Sequence, residues 1–410
     1  MRELAIDSER FKRDIEALAE IGSTGDGGVH RPTFSPAHLE ARSWFRQQAQ
    51  SAGFEVKVDG AGNHSAILSC APPGSPSLLL GSHLDSVPYG GRFDGALGVL
   101  AALEVLRVVR DAGLELTCNL EAIDFTDEEG SLCGLLGSSA LAGRLTKEEL
   151  LNPRGGRQAL LEGLQRAGLS EDSLLSARRD QVQVAGYLEL HIEQGSRLVQ
   201  TGKQIGVVSG IVGLVSYQLA FHGRADHAGT TSMQGRLDAS QGAASFILAA
   251  RQLVMADFPG CVVNTGALQL LPGAYNIVPG TALLSVEFRA PEARQLEQLE
   301  LALLDLARQK ARRYSLELVI EPKGKHIPTP MSPQMQLAIR GAADKLGLSY
   351  MDLVSGAGHD AQALAGFCPV GMIFVPSLGG ASHSARELTD WKDCLNGANT
   401  LLHTSLAIGL

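Results

Sequence analysis

Residues 78–95 read LLLGSHLDSVPYGGRFDG. An apolar run ends in His83, Asp85 follows two residues later, and Asp94 lies in the Gly-rich stretch that leads into LGVLAALEVLRVV, residues 97–109. The first run has the length and texture of a buried strand. The second is too long for a strand and apolar almost all round, which predicts a buried helix. Imidazole and carboxylate are the ligands that borderline and hard divalent cations take, so a His and an Asp on the loop between strand and helix suggest a ligand pair.

Working outward, three further apolar runs end in the same chemistry. NLEAIDFT (119–126) runs into Asp127, Glu128 and Glu129, YLELHIEQG (187–195) carries His191, and MIFVPSLGGAS (372–382) precedes His383. Strands alternating with helices predict an α/β fold whose mixed, mostly parallel sheet is covered by helices on both faces. In open α/β sheets the crevice beyond the carboxyl ends of the strands binds ligands. His83, Asp94, Glu128, Glu129, His191 and His383 can therefore converge although far apart in sequence. They supply donors for two divalent ions sharing a carboxylate, with a position left for water. Asp85 is placed to take the second N–H of a ligating imidazole. Singly, each residue has a plainer reading: a strand-end His is usually a hydrogen-bonded structural residue, and Asp-Glu-Glu is usually a solvated acidic turn. The recurrence at successive strand ends favours a metal centre.

A chain of 410 residues exceeds one ordinary core. Between 211 and 327 the texture changes to strand, helix, strand, strand, helix, strand, the β-α-β-β-α-β order of a ferredoxin-like α+β sandwich. We expect this segment to be a small inserted domain, a lid, within a discontinuous metal-binding domain of residues 1–210 and 328–410. Its hinges fall near Gly210–Gly213 and Pro328–Pro330, where Gly and Pro punctuate the chain. Helices are expected over 8–22 and 36–52, and strands near 54–59 and 65–70.

The 35 Lys and Arg against 44 Asp and Glu give a net charge of −9 without a basic run, so nothing points to nucleic acid or an anionic membrane, and a small molecule is the expected partner. The N-terminal stretch is charged and amphipathic, unlike a signal peptide, and no window offers about 18 uninterrupted apolar residues. The chain reads as a soluble cytoplasmic protein. Six scattered cysteines without CxxC spacing read as reduced core residues.

GSHLDSVPYGGRFDG, TDEEG, LELHIEQG, HAGTTSM with RLDA, PGAYNIVPG, SGAGHDAQ and PSLGGASHS together resemble the N-carbamoyl-L-amino acid amidohydrolases. That group also holds allantoate and ureidoglycolate amidohydrolases and β-ureidopropionases, within the dinuclear aminoacylase and carboxypeptidase superfamily. The resemblance implies that His83, Asp94 and His191 hold one metal, and that Asp94, as a bridge, holds another with Glu129 and His383. Zinc is the expected metal, with manganese, cobalt and nickel as alternatives. It makes Glu128 the general base and Gln194, His227, Asn276 and Arg289 the substrate-binding groups, with His227 serving the neighbouring subunit of a homodimer. The substrate implied is a carboxylate-bearing ureido compound, cleaved to amino acid, carbon dioxide and ammonia.

Outside the resemblance, His227 could be an exposed loop histidine, Arg289 could pair with Glu287 or cap its sheet, and Gly356, Gly358, His359 and Asp360 could only shape a tight loop. One departure is visible. Relatives carry Arg-Phe shortly after the paired glutamates, whereas this chain has Ser131, Leu132 and Cys133. That segment is expected to lie near the substrate, which bears on substrate identity more than on the metal ligands. Other readings are an aminoacylase or dipeptidase, or a catalytically silent metabolite-binding protein. Retention of an acidic base beside the ligands speaks against the last.

Overall fold

In the computed structural model, which describes residues 4–410, the strands in chain order are β1 (Glu55–Val58), β2 (His64–Leu68), β3 (Ser77–His83), β4 (Asn119–Phe125), β5 (Val184–Ile192), β6 (Ile205–Ile211), β7 (Gly213–His222), β8 (Val262–Leu271), β9 (Thr281–Ala290), β10 (Glu317–His326), β11 (Thr329–Pro330), β12 (Tyr350–Ser355) and β13 (Val370–Val375). The larger sheet has the order β1-β2-β4-β3-β5-β13-β6-β11, with β12 beside β6. Its centre is parallel, β4 with β3, β3 with β5 and β5 with β13. Its flanking pairs β1–β2, β2–β4 and β6–β13 are antiparallel. Parallel neighbours end on one edge of a sheet. His83 closes β3, the 126–129 segment follows β4, His191 is the penultimate residue of β5, and the loop to His383 follows β13. The four segments carrying the candidate ligands are thus delivered to the same edge by topology alone.

The helix Ala96–Asp111 is buried from Ala96 to Val109 and packs against β3, β4 and β5. Its one buried acid, Glu104, is held by Arg10 through Nε at 2.8 Å and Nη2 at 2.6 Å, and by Arg107 at 3.2 Å. Helix Ser8–Glu20 starts at Asp7, whose carboxylate accepts from Arg10 N, and helix Pro36–Ser51 starts at Ser35 with Pro36 at its first position. Short helices between 136 and 175 escape periodicity because most of them offer too few turns to show it. They bury Leu136, Leu150, Leu160 and Leu174 in a satellite core with Phe34. The six cysteines are free, four of them buried. Among the described residues no helix is long and apolar enough to cross a membrane.

The chain divides into two compact units, one running up to Ser209 and resuming at Pro330, the other Gly210–Thr329. The second unit is a four-stranded antiparallel sheet, β10-β7-β9-β8, with helices Ala239–Asp257 and Ala293–Arg313 packed on it. Its connectivity is β-α-β-β-α-β. Alternate residues of β9, Ala282, Leu284, Val286, Phe288 and Ala290, face a core shared with Phe221, Phe246 and Leu299.

Candidate active site

His83, Asp94 and His191 bring one ligand atom each within 4.8 Å of one another, and so do Asp94, Glu129 and His383. Asp94 Oδ1 lies 3.0 Å from His191 Nε2 and 3.5 Å from His83 Nε2, while Oδ2 lies 3.7 Å from His383 Nε2. His383 Nε2 is 3.5 Å from Glu129 Oε2. The two groups therefore share Asp94, one carboxylate oxygen to each. Gly95, at φ 63, lets the loop turn from Asp94 into the buried helix, and a side chain there would strike the His83 ring.

Both buried imidazoles are oriented in the same way. His83 Nδ1 donates to the Asp85 carbonyl at 3.0 Å and His191 Nδ1 to the Ile192 carbonyl at 2.9 Å, which turns each Nε2 toward Asp94. Asp85 was expected to hold His83 with its carboxylate, and here the structure differs. The carboxylate is 3.8 Å from Nδ1 and instead accepts from Thr33 Oγ1 at 3.0 Å and from the backbone of Glu128 and Glu129 at 3.4 and 3.3 Å. The backbone carbonyl orients the imidazole, and the side chain orients the paired glutamates.

Asp127 belongs to neither ligand group. At φ 58 it turns back on its own loop and accepts from the backbone N–H of Leu132, Cys133 and Gly134 at 3.0, 2.6 and 2.9 Å. Leu132, expected near substrate, is 4% exposed and packs into the satellite core with Phe34, because that loop folds inward over Asp127. His359 lies against His191 with ring centroids 4.6 Å apart and meets Ser355 Oγ through Nε2 at 3.0 Å, a packing position outside both groups.

Gln194, at φ 57, donates from Nε2 to Asp94 Oδ2 at 2.9 Å. Two residues not singled out in the sequence also reach the bridge: Ser382 Oγ lies 3.1 Å from Asp94 Oδ2, and Glu387 accepts from Asp94 N at 3.1 Å. Spacing carries no signal for either, since both sit in a polar loop.

Glu128 Oε2 is 3.5 Å from His83 Nε2. Burial pushes the Glu128 carboxyl well above the usual carboxylate range against the pull of His83, and Glu129, Asp360 and Asp94 push the same way. Glu129 is raised by burial and Asp94. Asp94 itself is held well below the usual range, its burial overcome by His191 and His83. Three carboxyls and three imidazoles crowded together, with His83 Nε2 buried and without a hydrogen-bond partner among the described residues, form a donor set suited to divalent cations.

In the second unit, the segments around His227 and Asn276 are paired. His227 and Ile277 form a β-bridge, and Ala228 N donates to the Asn276 carbonyl at 2.9 Å. His227 Nδ1 accepts from Gly229 N at 3.1 Å and Thr230 N at 3.2 Å, which puts the ring proton on Nε2. Both residues lie by the start of β9, where Gly223 N meets the Gly280 carbonyl. Arg289 lies near the other end of β9, with Nε at 3.0 Å and Nη2 at 2.8 Å from Glu287 Oε1. At about 3.3 Å per strand residue, Thr281 and Arg289 are roughly 26 Å apart.

Residues 79–407 match the model of peptidase family M20/M25/M40. The chain is similar to the N-carbamoyl-L-amino acid amidohydrolase of Geobacillus stearothermophilus, 37% identical over 402 residues that cover 97% of this chain and 98% of that one. It is 32% identical to the allantoate amidohydrolase of Bacillus subtilis over 94% of each chain. A crystal structure of a hydantoinase/carbamoylase-family amidase from Burkholderia multivorans superposes with a TM-score of 0.90 at 34% identity, covering 99% of this chain and 98% of that one. With its ligand groups on the parallel edge of the sheet and this similarity along nearly its whole length, the chain belongs to peptidase family M20/M25/M40, among the N-carbamoyl-L-amino acid and allantoate amidohydrolases.

Proposed function

We propose that this enzyme is a metal-dependent amidohydrolase that cleaves the ureido C–N bond of an N-carbamoyl-L-amino acid. The observation that carries the proposal is the pair of ligand groups sharing Asp94, with Glu128 beside them. His83, Asp94 and His191 would hold one divalent cation, and Asp94, Glu129 and His383 the other. Cations there would polarise the ureido carbonyl and lower the pKa of water from 15.7 toward about 7.

The work of this chain's own groups follows from their chemistry. Glu128 takes the proton of the attacking water and returns it to the departing amino-acid nitrogen. The carbonyl carbon gains the water oxygen and loses the C–N bond, giving the free amino acid and carbamic acid, which decomposes to carbon dioxide and ammonia. His227, with its proton on Nε2, donates to the developing oxyanion, a role worth about 3–4 kcal/mol for one donor. Gln194, Asn276 and Arg289 anchor the substrate carboxylate, Arg289 through the planar guanidinium fork that matches a carboxylate bidentately.

A homodimer belongs to this reading. His227 and Asn276 are separated from Arg289 by most of the length of β9, so one copy of the second unit cannot present all three to one small substrate. His227 together with Asn276 would serve the partner's site. The edge strand β8 of that unit carries exposed Val262, Leu268 and Leu271, and the adjacent helix exposes Leu248 and Met255, an apolar edge suited to pairing with a second copy.

Allantoate hydrolysis is the second reading, favoured by the Bacillus subtilis relative. The deciding experiment joins metal analysis to an ammonia-release panel of N-carbamoyl amino acids, allantoate, ureidoglycolate and N-acyl amino acids. Turnover of N-carbamoyl-L-amino acids by protein holding two zinc or manganese ions per chain is the expected result. Turnover confined to N-acyl substrates, or undiminished in metal-free protein, would overturn it.

A further inference from the structure

Glu387 lies four residues beyond His383 and is 4% exposed. Its Oε1 accepts from Phe93 N at 3.0 Å and from Asp94 N at 3.1 Å. Its Oε2 is 3.1 Å from Ser382 Oγ, and that hydroxyl is also 3.1 Å from Asp94 Oδ2. One carboxylate thus joins the loop carrying Asp94 to the loop carrying His383. Gly91 makes the room: its backbone is not in the left-handed region, yet a Cβ there would overlap the Glu387 carboxylate.

The two ligand groups differ in how they are held. His83 and His191 sit within β3 and β5, so the sheet fixes them. His383 is half-exposed in a loop at φ 54, and no strand sets its distance from Glu129 and Asp94. Among the described residues Glu387 forms no ion pair, and a buried carboxyl without a cationic partner does not by itself favour folding. What it contributes is the tie between the loops.

We propose that Glu387 is a positioning residue that sets the geometry of the second ligand group, Asp94 with Glu129 and His383, so that cation binding there depends on it. The inference rests on the metal-centre reading given above. Acting behind the ligands, Glu387 touches no cation itself. Glu387→Ala removes the whole tie. Glu387→Gln keeps an oxygen for Phe93 N and Asp94 N while placing an amide against Ser382. Gly91→Ala leaves Glu387 in the sequence but displaces its carboxylate.

The test titrates metal-free full-length protein with Zn2+, and separately Mn2+, against a competing chelator, alongside the thermal unfolding of each metal-free variant. Wild type is expected to take up two cations. In Glu387→Ala and Gly91→Ala the weaker dissociation constant should rise about 10–100-fold, the usual cost of losing a group that orients ligands, while the tighter one moves far less. Glu387→Gln should fall between. Equal affinities in wild type and both variants, or equal weakening at both positions together with early melting of the metal-free protein, would overturn the proposal. Should Glu387→Ala not fold, Gly91→Ala decides. Wild-type protein that binds no cation would instead overturn the metal-centre reading, an outcome distinct from two-site binding that the substitutions leave untouched.

Discussion

His227 and Arg289 stand near opposite ends of one antiparallel sheet, His227 bridged to Ile277 before β9 begins and Arg289 one residue from the end of that strand. If both serve one substrate, they come from different copies of the chain. Complementation follows. His227→Ala and Arg289→Ala should each lose about 100-fold or more in kcat/KM as homodimers, by loss of an oxyanion donor or of a carboxylate anchor. Co-expressed, the mixed dimer pairs the intact Arg289 of one chain with the intact His227 of the other, and a random mixture should recover about a quarter of wild-type activity. Differently tagged chains, purified in sequence and assayed for ammonia release, measure it. If mixed dimers stay as inactive as the parents, His227 and Arg289 do not serve one site across the interface.

Much of the first unit's candidate site is legible in the chain because its candidate ligands sit at the ends of apolar runs, and those runs become parallel neighbours. His83, His191, Glu129 and His383 carry that signal openly. What stays hidden depends on backbone groups or on distant loops. The Asp85 carbonyl on His83 depends on a backbone direction, which residue type does not encode. Asp127 looks like a third acidic ligand until its positive φ turns it toward the backbone of 132–134. Glu387 has two partners nearly three hundred residues away, and both are backbone N–H groups that any residue would supply. The β-α-β-β-α-β connectivity of the second unit is readable in the order of its strand-like and helix-like runs. Its consequence for His227 and Arg289 needed the register of β9.

Glu128→Gln removes the proposed proton acceptor while keeping size and one oxygen. Metal analysis should still find two cations per chain, and kcat should fall by about 10^2–10^4 with KM little changed. A variant that retained near wild-type turnover would transfer the base to another group.

Asp127→Ala leaves the N–H groups of Leu132, Cys133 and Gly134 without their acceptor, at about 1–3 kcal/mol in stability, and frees the loop that carries Glu128 and Glu129. Alanine also tolerates φ 58 poorly, whereas asparagine accepts it and keeps one acceptor oxygen. Asp127→Asn should therefore retain most stability and activity, and Asp127→Ala should lose both, in thermal melts and steady-state assays. Equal behaviour of the two would remove the loop-holding role.

Arg42 and Asp124 form a buried ion pair at 2.8 Å, and Arg42 also donates to the carbonyls of Gly62 and Phe125 and to Thr126 Oγ1, just before Glu128. Arg42→Met strands the Asp124 charge, at about 3–5 kcal/mol in denaturant unfolding of the metal-free protein. Burial pushes Asp124 up to about 6 even with Arg42 opposing it. A carboxyl raised in the folded state binds its proton more tightly folded than unfolded, so its contribution to stability falls as pH rises from near 4 through the folded value. Without Arg42 the folded value climbs further. The deficit should therefore be widest near neutral pH and narrow on acidification, and Asp124→Asn in the same background should recover part of it at neutral pH while flattening that dependence. A deficit that did not vary with pH would mean that the cost lies in the lost carbonyl contacts, with the stranded charge contributing little.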